Sequence, residues 1–144
     1  VADLEMREEV DLLALAAEEC ARMDAALDGA PVAVQGDPRL LQRLIRNLLE
    51  NARRYGANTP IEVTLSSGVG PAVLRVCDRG PGVPAGEVDR LKRPFTRMDE
   101  ARSGPGGAGL GLAIVDRIAR AHGGSLELAS REGGGLAARL GLSA

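Results

Sequence analysis

Two pairs of short strand-like segments constrain the fold of this chain most strongly, and the first of these segments alternates apolar and polar residues. Residues 61–67 and 72–78 form the first pair, and the turn-forming residues 68–71 separate them. Residues 125–130 and 136–142 form the second pair, on either side of the glycines at 133–135. Such pairs are typical of antiparallel β-hairpins. The sequence therefore predicts an antiparallel sheet, and a helical pattern precedes each hairpin.

Three helices and one further strand complete the expected order of elements. Apolar residues recur at helical spacing over residues 12–27, 38–55 and 110–121, and residues 32–35 favour a short strand. Asp11 is a suitable N-cap for the first helix, and Asp37 with Pro38 is a suitable start for the second. We expect an α+β protein, a two-layer α/β sandwich whose mixed sheet of about five strands carries three main helices on one face.

The composition limits the possible functions. A chain of 144 residues with 44% apolar content is the size of a single domain, here residues 1–144. Its 18 Lys and Arg against 20 Asp and Glu show no basic excess, so a nucleic-acid partner is not expected. No segment predicts a membrane span or a signal peptide. Cys20 and Cys77 are interpreted as buried small hydrophobes, and His122 as a structural cap at a helix end.

One edge of the second helix carries polar groups where apolar ones are expected. On a helical wheel Asn51 falls inside the apolar stripe, and Asn47 and Arg54 lie at its edge. Glu50 lies further out, and Arg46 and Arg53 point away. An amide without a partner in an apolar layer costs about 1–3 kcal/mol, so Asn51 needs something to bind. That partner is either a ligand or a neighbouring backbone group.

Asp78 breaks the pattern of its strand in the same way. Leu74 and Val76 share a face with Asp78, so the carboxylate is expected to point inward at the end of the strand. Gly80 and Gly82 follow and leave room for a flat ligand close to the main chain. The carboxylate either receives a donor from a ligand or caps its own turn.

A glycine-dense segment leads into the third helix. Residues 79–108 form a long irregular stretch, which in a compact domain usually indicates function or mobility. Backbone amides at the start of a helix suit an anion such as phosphate. Residues 104–109 fit G-x-G-x-x-G, but no strand precedes them as a dinucleotide fingerprint requires, and the chain contains no P-loop motif. A flexible loop is the other reading.

Four segments together resemble a known family. Residues 47–55 (NLLENARRY), 78–82 (DRGPG), 94–97 (PFTR) and 107–112 (GAGLGL) are similar, in order, to the N, G1, F and G2 boxes of sensor histidine kinases. Residues 2–4 and the following helix resemble the start of the catalytic domain in the osmosensing class. The resemblance implies the Bergerat fold of DNA gyrase, mismatch-repair ATPases and heat-shock chaperones. It also implies ATP and Mg²⁺ as ligands.

The resemblance assigns a role to each motif residue. Asp78 would accept the exocyclic amine of adenine, with Gly80, Gly82 and Val83 beside the base. Asn51 would bind Mg²⁺ through its amide oxygen, which suits an ion that takes most of its ligands from phosphate and water. Asn47 and Arg54 would reach the phosphates, and Tyr55 would lie against the nucleotide.

The remaining implied roles belong to the ATP lid, residues 96–108. Phe95 would anchor its base, and Arg97 would approach the γ-phosphate, where positive charge stabilises phosphoryl transfer. Gly109 and Gly111 would form the phosphate-facing hinge of the lid, and the neighbouring residues Gly107, Ala108, Leu110 and Leu112 would also contact the nucleotide. The sequence departs from the family pattern at Ala108, where Thr is usual, and at Arg54, where Lys is more common.

One position separates a kinase from a hydrolase within this superfamily. Gyrase-like ATPases carry a Glu as general base four residues before the Mg²⁺ ligand, and here that position is Asn47. An amide cannot accept a proton, so slow hydrolysis is expected. The alternatives are a Bergerat ATPase or switch, a nucleotide sensor without catalysis and, third, a serine kinase of the anti-sigma type.

The resemblance also implies partners and location. The phosphoacceptor histidine would lie on a dimerisation segment of the same kinase, outside this chain, and a response regulator would then receive the phosphoryl group. We expect the fragment to be monomeric and the full-length protein to be a homodimer. The domain would lie in the cytoplasm, and the full-length protein in the bacterial inner membrane.

Overall fold

A computed structural model describes residues 7–56, 59–66, 72–80, 111–130 and 135–142. These residues form a five-stranded mixed sheet, a separate two-stranded sheet and three helices. The elements in chain order are β1 (Glu8–Asp11), α1 (Leu12–Met23), β2 (Ala26–Gly29), β3 (Ala33–Gly36), α2 (Pro38–Tyr55), β4 (Glu62–Ser66), β5 (Ala72–Cys77), α3 (Gly111–Ala121), β6 (Ser125–Ser130) and β7 (Leu136–Leu142).

The large sheet confirms the predicted α+β sandwich. Its strand order is β2-β4-β5-β7-β6, with β2 parallel to β4 and all other pairs antiparallel. Both predicted hairpins are present: β4 pairs with β5, and β6 pairs with β7. Leu65, Leu74 and Leu140 are buried in the core, while Thr64 and Arg75 on the alternate positions are exposed. The alternation seen in the sequence therefore reflects one buried and one exposed face.

The first helix is shorter than predicted. It was expected to run to residue 27, but it ends at Met23, because Asp24 adopts a left-handed conformation with φ of 55° and ψ of 46°. The Ala25 amide then donates to the Cys20 carbonyl at 2.9 Å, which closes the last turn. The next amide, that of Ala26, donates to Ile61 and starts β2. The prediction of a helix over residues 24–27 is therefore wrong, and Ala26–Gly29 form strand β2 instead.

The strand predicted at residues 32–35 exists as β3, but it does not join the main sheet. It pairs antiparallel with β1, and this small sheet buries Val10 and Val34. The place at the edge of the main sheet belongs to β2. The main sheet has five strands, as expected, but β2 is one of them and β3 is not.

The second helix agrees with its predicted bounds. The Asp37 side chain accepts a hydrogen bond from the Arg39 amide at 3.0 Å, and Pro38 occupies the first turn. Leu41, Leu44, Ile45 and Leu49 of this helix are fully buried. The helix therefore lies in the centre of the helical layer, in contact with α1, α3 and the sheet.

His122 joins the end of α3 to the start of α2. Its Nε2 accepts a hydrogen bond from the Asp37 amide at 3.0 Å, and its Nδ1 lies 2.7 Å from the Ile118 carbonyl oxygen, to which it donates. The ring is buried, with 4% of its surface exposed. A Cβ on Gly36 would lie 2.6 Å from His122 Nε2, so only glycine fits beside it. The predicted structural role is confirmed, and the ring connects the end of α3 to the start of α2.

Candidate nucleotide site

The polar edge of α2 is present as predicted. Asn47 and Asn51 are both half-buried, four residues apart on one face of the helix. The Asn51 amide nitrogen donates to the Asn47 carbonyl oxygen at 2.8 Å. This bond uses the nitrogen of the Asn51 amide and does not involve its oxygen, which is the acceptor atom of the group. The two readings of Asn51, a bond to nearby backbone and a ligand contact, are therefore compatible.

Asp78 is buried at the end of β5, with 2% of its surface exposed. Its Oδ1 accepts two backbone hydrogen bonds, from Gly80 at 3.0 Å and from Leu136 at 3.2 Å. The Asp78 amide donates to the Leu136 carbonyl oxygen at 3.1 Å. The carboxylate thus caps its own turn, as one reading predicted, and it is also fixed to the start of β7.

A cavity lies between α2 and the sheet and brings the two polar groups together. It is lined by Leu48, Asn51, Ala52, Val76, Asp78, Leu112, Leu128, Leu136 and Ala138. Its volume of about 20 Å³ is room for one water molecule. The walls are aliphatic except at Asn51 and Asp78. Three residues singled out from the sequence, Asn51, Asp78 and Leu112, therefore share one cavity.

The cavity is also lined by residues that the sequence pattern does not single out as site residues. Leu136 and Ala138 on β7 and Leu128 on β6 line it, although the pattern indicates only that they belong to the core. An aliphatic side chain in a strand carries no signal that separates a binding wall from a packed interior. Leu136 is the most informative of these residues, because its backbone also holds Asp78.

Other predicted site residues have definite places on the described elements. Arg54 is exposed on the last turn of α2, and Tyr55 ends that helix. Gly80 contributes its amide to Asp78, and Gly111 is the first residue of α3. Gly82, Val83, Phe95, Arg97, Gly107, Ala108, Gly109 and Leu110 lie outside the described residues, as does the whole segment 96–108.

The opposite side of α2 is anchored by charge. Glu19 on α1 is fully buried and accepts hydrogen bonds from Arg46 Nε at 2.9 Å and Gln42 Nε2 at 3.1 Å. The Arg46 hydrogen bond lowers the pKa of Glu19, and the same pair raises the pKa of Arg46. Arg53 donates to the Met23 carbonyl oxygen at the end of α1. Arg46 and Arg53 do point away from the polar edge, as predicted, and they attach α2 to its neighbour.

The two cysteines are both free and buried. Burial raises the pKa of the Cys20 thiol to about 11, which makes the thiolate scarce near neutral pH. Among residues 7–56, 59–66, 72–80, 111–130 and 135–142, no three metal-ligating side chains of His, Cys, Asp or Glu come together. In the same part of the chain, no helix is long and apolar enough to cross a membrane.

The lining of the cavity suits the ligands that the resemblance implies, although its volume holds only one water molecule. A purine base needs flat apolar walls and a partner for its polar edge, and the cavity offers aliphatic side chains with one buried carboxylate. Mg²⁺ is bound by oxygen and keeps several waters, so one amide oxygen at the edge of the cavity is a sufficient protein contribution beside phosphates. The donor set therefore suits a nucleotide with its metal ion.

Comparison with known proteins identifies the family. The family model described as "Histidine kinase-, DNA gyrase B-, and HSP90-like ATPase" matches residues 36–144. The chain belongs to this family of ATPases and kinases, and the fold and the cavity agree with that membership. Residues 7–35, with β1, α1, β2 and most of β3, precede the matched region.

Within the family, the similar proteins are sensor kinases. The chain is 47% identical to the Sensor protein CutS of Streptomyces coelicolor over 110 residues, 74% of this chain and 27% of CutS. The mycobacterial sensor histidine kinase MprB superposes with a TM-score of 0.84 at 27% identity, covering 96% of this chain and 97% of the compared chain. Full-length ShkA in complex with AMPPNP gives 0.77 at 25% identity, covering 100% of this chain and 33% of ShkA.

These matches confirm the predicted class, the ATP-binding catalytic domain of a sensor histidine kinase. The chain spans about a quarter of the length of the curated relatives it matches, 27% in the case of CutS.

Proposed function

We propose that the cavity between α2, β5 and β7 is the inner end of a nucleotide site in which Asp78 recognises adenine. The observation that carries this proposal is a 2%-exposed carboxylate on the wall of an aliphatic cavity. Burial of a carboxylate is costly unless donors compensate it, and two backbone amides already hold one oxygen in place. An amine donor from the base adds a charge-assisted hydrogen bond to a group that the protein has positioned in advance. Gly80, Gly82 and Val83 would lie beside the base.

The polar edge of α2 serves the phosphates in this proposal. Asn51 holds Mg²⁺ through its amide oxygen, which the bond from its nitrogen to Asn47 leaves available. Asn47 and the exposed Arg54 reach the phosphate oxygens, and Tyr55 lies against the nucleotide. When bound, Mg²⁺ neutralises phosphate charge during transfer. Arg97 and the segment 107–112 contact the outer phosphates, and Phe95 anchors the lid at residues 96–108.

The absence of a base on α2 favours transfer to a protein over transfer to water. Asn47 cannot accept a proton, and the carboxylate of Glu50 is exposed and does not line the cavity. The γ-phosphoryl group therefore passes to a histidine nitrogen on the dimerisation segment of the same kinase, and from there to an aspartate of the cognate response regulator. Residues 1–144 act as one catalytic domain, monomeric as a fragment, on the cytoplasmic side of a homodimer in the bacterial inner membrane.

A reconstituted transfer reaction tests this function. The domain is mixed with Mg²⁺, γ-labelled ATP and a separately produced dimerisation segment of the same kinase. We expect acid-labile, alkali-stable label on the segment and none on a variant segment whose acceptor histidine is replaced by Gln. Phosphate release at the rate of a dedicated ATPase without labelled segment would support the gyrase-like alternative instead. Nucleotide binding without either product would support a sensor.

A further inference from the structure

Two glycines lie against Asp78, one just after α2 and one just before β7. Gly135 immediately precedes β7 and has a φ of 100°, which L side chains rarely adopt. A Cβ at this position would overlap the Asp78 carbonyl oxygen and lie 2.9 Å from the Asp78 carbonyl carbon and 3.1 Å from Arg79 Cα. Both the backbone conformation and the available space therefore require glycine beside Asp78.

The second glycine approaches from the end of α2. A Cβ on Gly56 would lie 2.8 Å from Asp78 Cβ and 3.1 Å from Thr59 Oγ1, besides overlapping the Ala52 carbonyl oxygen. The Thr59 hydroxyl accepts a hydrogen bond from the Arg79 amide at 3.1 Å. The segment that follows α2 is therefore bonded to the residue after Asp78, and Gly56 lets the helix end lie against the Asp78 side chain.

These contacts control where the carboxylate points. Leu136, the residue after Gly135, donates to Asp78 Oδ1 and accepts from the Asp78 amide. Any displacement of Gly135 therefore moves both the Asp78 backbone and one donor to its carboxylate. Hydrogen bonds weaken steeply as the donor angle departs from linear, so a small shift of the carboxylate weakens a bond to a ligand more than it weakens the fold.

We propose that Gly135 and Gly56 are positioning residues for base recognition. They set the direction of the Asp78 carboxylate and touch no nucleotide atom themselves. This inference rests on the proposed role of Asp78 as the acceptor for the adenine amine.

The test compares three glycine-to-alanine variants of the 144-residue chain. Gly135→Ala is the test variant. Gly141→Ala is the matched control on β7, the strand that Gly135 precedes, because a Cβ on Gly141 has nothing within 4 Å. Gly124→Ala is the stability control, because its Cβ would overlap the Gly141 carbonyl oxygen at the opposite end of β7 from Leu136.

A comparison of ATP binding with ITP binding separates a loss of base recognition from a general loss of native structure. ATP presents an amine to Asp78, whereas ITP carries a carbonyl at that position of the base and cannot donate there. Calorimetry with Mg²⁺ gives both dissociation constants at a temperature where thermal unfolding shows each variant to be folded. We expect Gly135→Ala to bind ATP about tenfold more weakly while ITP changes less, so that the ATP preference falls. Gly141→Ala should match the wild type, and Gly124→Ala should lower Tm with an unchanged ATP preference.

Hydrogen exchange supplies a second readout. The amides of Gly80 and Leu136, both bonded to Asp78 Oδ1, should lose protection in Gly135→Ala and keep it in Gly124→Ala. If Gly135→Ala does not fold, Gly56→Ala tests the same proposal, because its φ of −81° suits any residue and its Cβ would press on Asp78 Cβ as well as on the Ala52 carbonyl oxygen. It should show the same loss of ATP preference.

The outcomes distinguish the positioning role of the two glycines from the proposed contact between Asp78 and adenine. An unchanged ATP preference in a folded Gly135→Ala or Gly56→Ala variant overturns the positioning role. Asp78→Asn then decides about the proposed function. If Asp78→Asn weakens ATP binding while the glycine variants behave like Gly141→Ala, the adenine assignment stands and only the positioning proposal fails. If Asp78→Asn binds ATP like the wild type, the adenine assignment itself is wrong.

Discussion

Replacing Asp78 by Asn exchanges one carboxylate oxygen for an NH₂ group. The amide oxygen of Asn can keep both bonds that Oδ1 now accepts, from Gly80 and Leu136. Those bonds lose their charge assistance, and a charged bond contributes about 1 kcal/mol more than a neutral one. Because at least these two bonds are affected, we expect Asp78→Asn to lower the free energy of unfolding by about 1–2 kcal/mol and to remain folded.

The effect on nucleotide binding is larger. The second carboxylate oxygen becomes an NH₂ group, so an amine from adenine would meet a donor instead of an acceptor. The loss of a charge-assisted hydrogen bond together with this mismatch costs about 2–4 kcal/mol, or roughly thirtyfold to several hundredfold in affinity. The same NH₂ group can donate to the carbonyl of hypoxanthine, so binding of ITP should weaken less or improve.

Calorimetric titration of Asp78→Asn with ATP and with ITP, each with Mg²⁺, measures both effects. Thermal unfolding of the same samples checks that the variant is folded. The expected result is a reversal or near-loss of the ATP preference. Wild-type affinity for ATP, or an equal loss for both nucleotides in a folded variant, would refute the contact between Asp78 and the adenine amine.

Two further predictions concern α2. Asn51→Ala should weaken binding of Mg²⁺-ATP about tenfold but leave ATP in EDTA nearly unchanged, because a metal ligand acts only when metal is present; equal losses in both titrations would contradict the ligand role. Glu19→Gln should lower the free energy of unfolding by about 2 kcal/mol at pH 7, since Glu19 accepts charged bonds from Arg46 in a buried site. Folding lowers the pKa of Glu19 from its ordinary value of 4.5. The difference in the free energy of unfolding between wild type and variant should therefore be complete above pH 4.5 and shrink below it. If urea unfolding shows a difference that does not depend on pH, the ion pair is not its source.

The elements that the sequence predicts well are those with local signals. Helix α2 begins with Asp37 and Pro38, and these residues cap it as expected. The end of α1 has no such signal: Asp24 adopts a left-handed conformation that the apolar spacing through Leu27 does not reveal. Strands β1 and β2 have four residues each, too few for a clear alternation, and their pairing partners are distant in the chain.

The residues of the candidate site also divide into those with a local sequence signal and those without one. Asn51 and Asp78 could be found because a polar residue in an apolar pattern stands out, and the structure brings both to one cavity. Leu136 could not be found, because it is one more aliphatic residue in a strand. The requirement for glycine at 135 depends on the backbone of Asp78, which is 57 positions away and reaches it only through the pairing of β5 with β7.

The charged groups of α2 explain how a helix can present two amides at a fixed place beside the sheet. Its buried leucines fix its depth, but aliphatic contacts are not directional and would tolerate some rotation about the axis. Hydrogen bonds are directional, and Glu19 receives them from Arg46 and Gln42 on the side of α2 that faces α1. His122 adds a bond at the start of the helix. Because these bonds define the rotation of α2, they also define the direction in which Asn51 faces the cavity, although none of the residues that make them lines it.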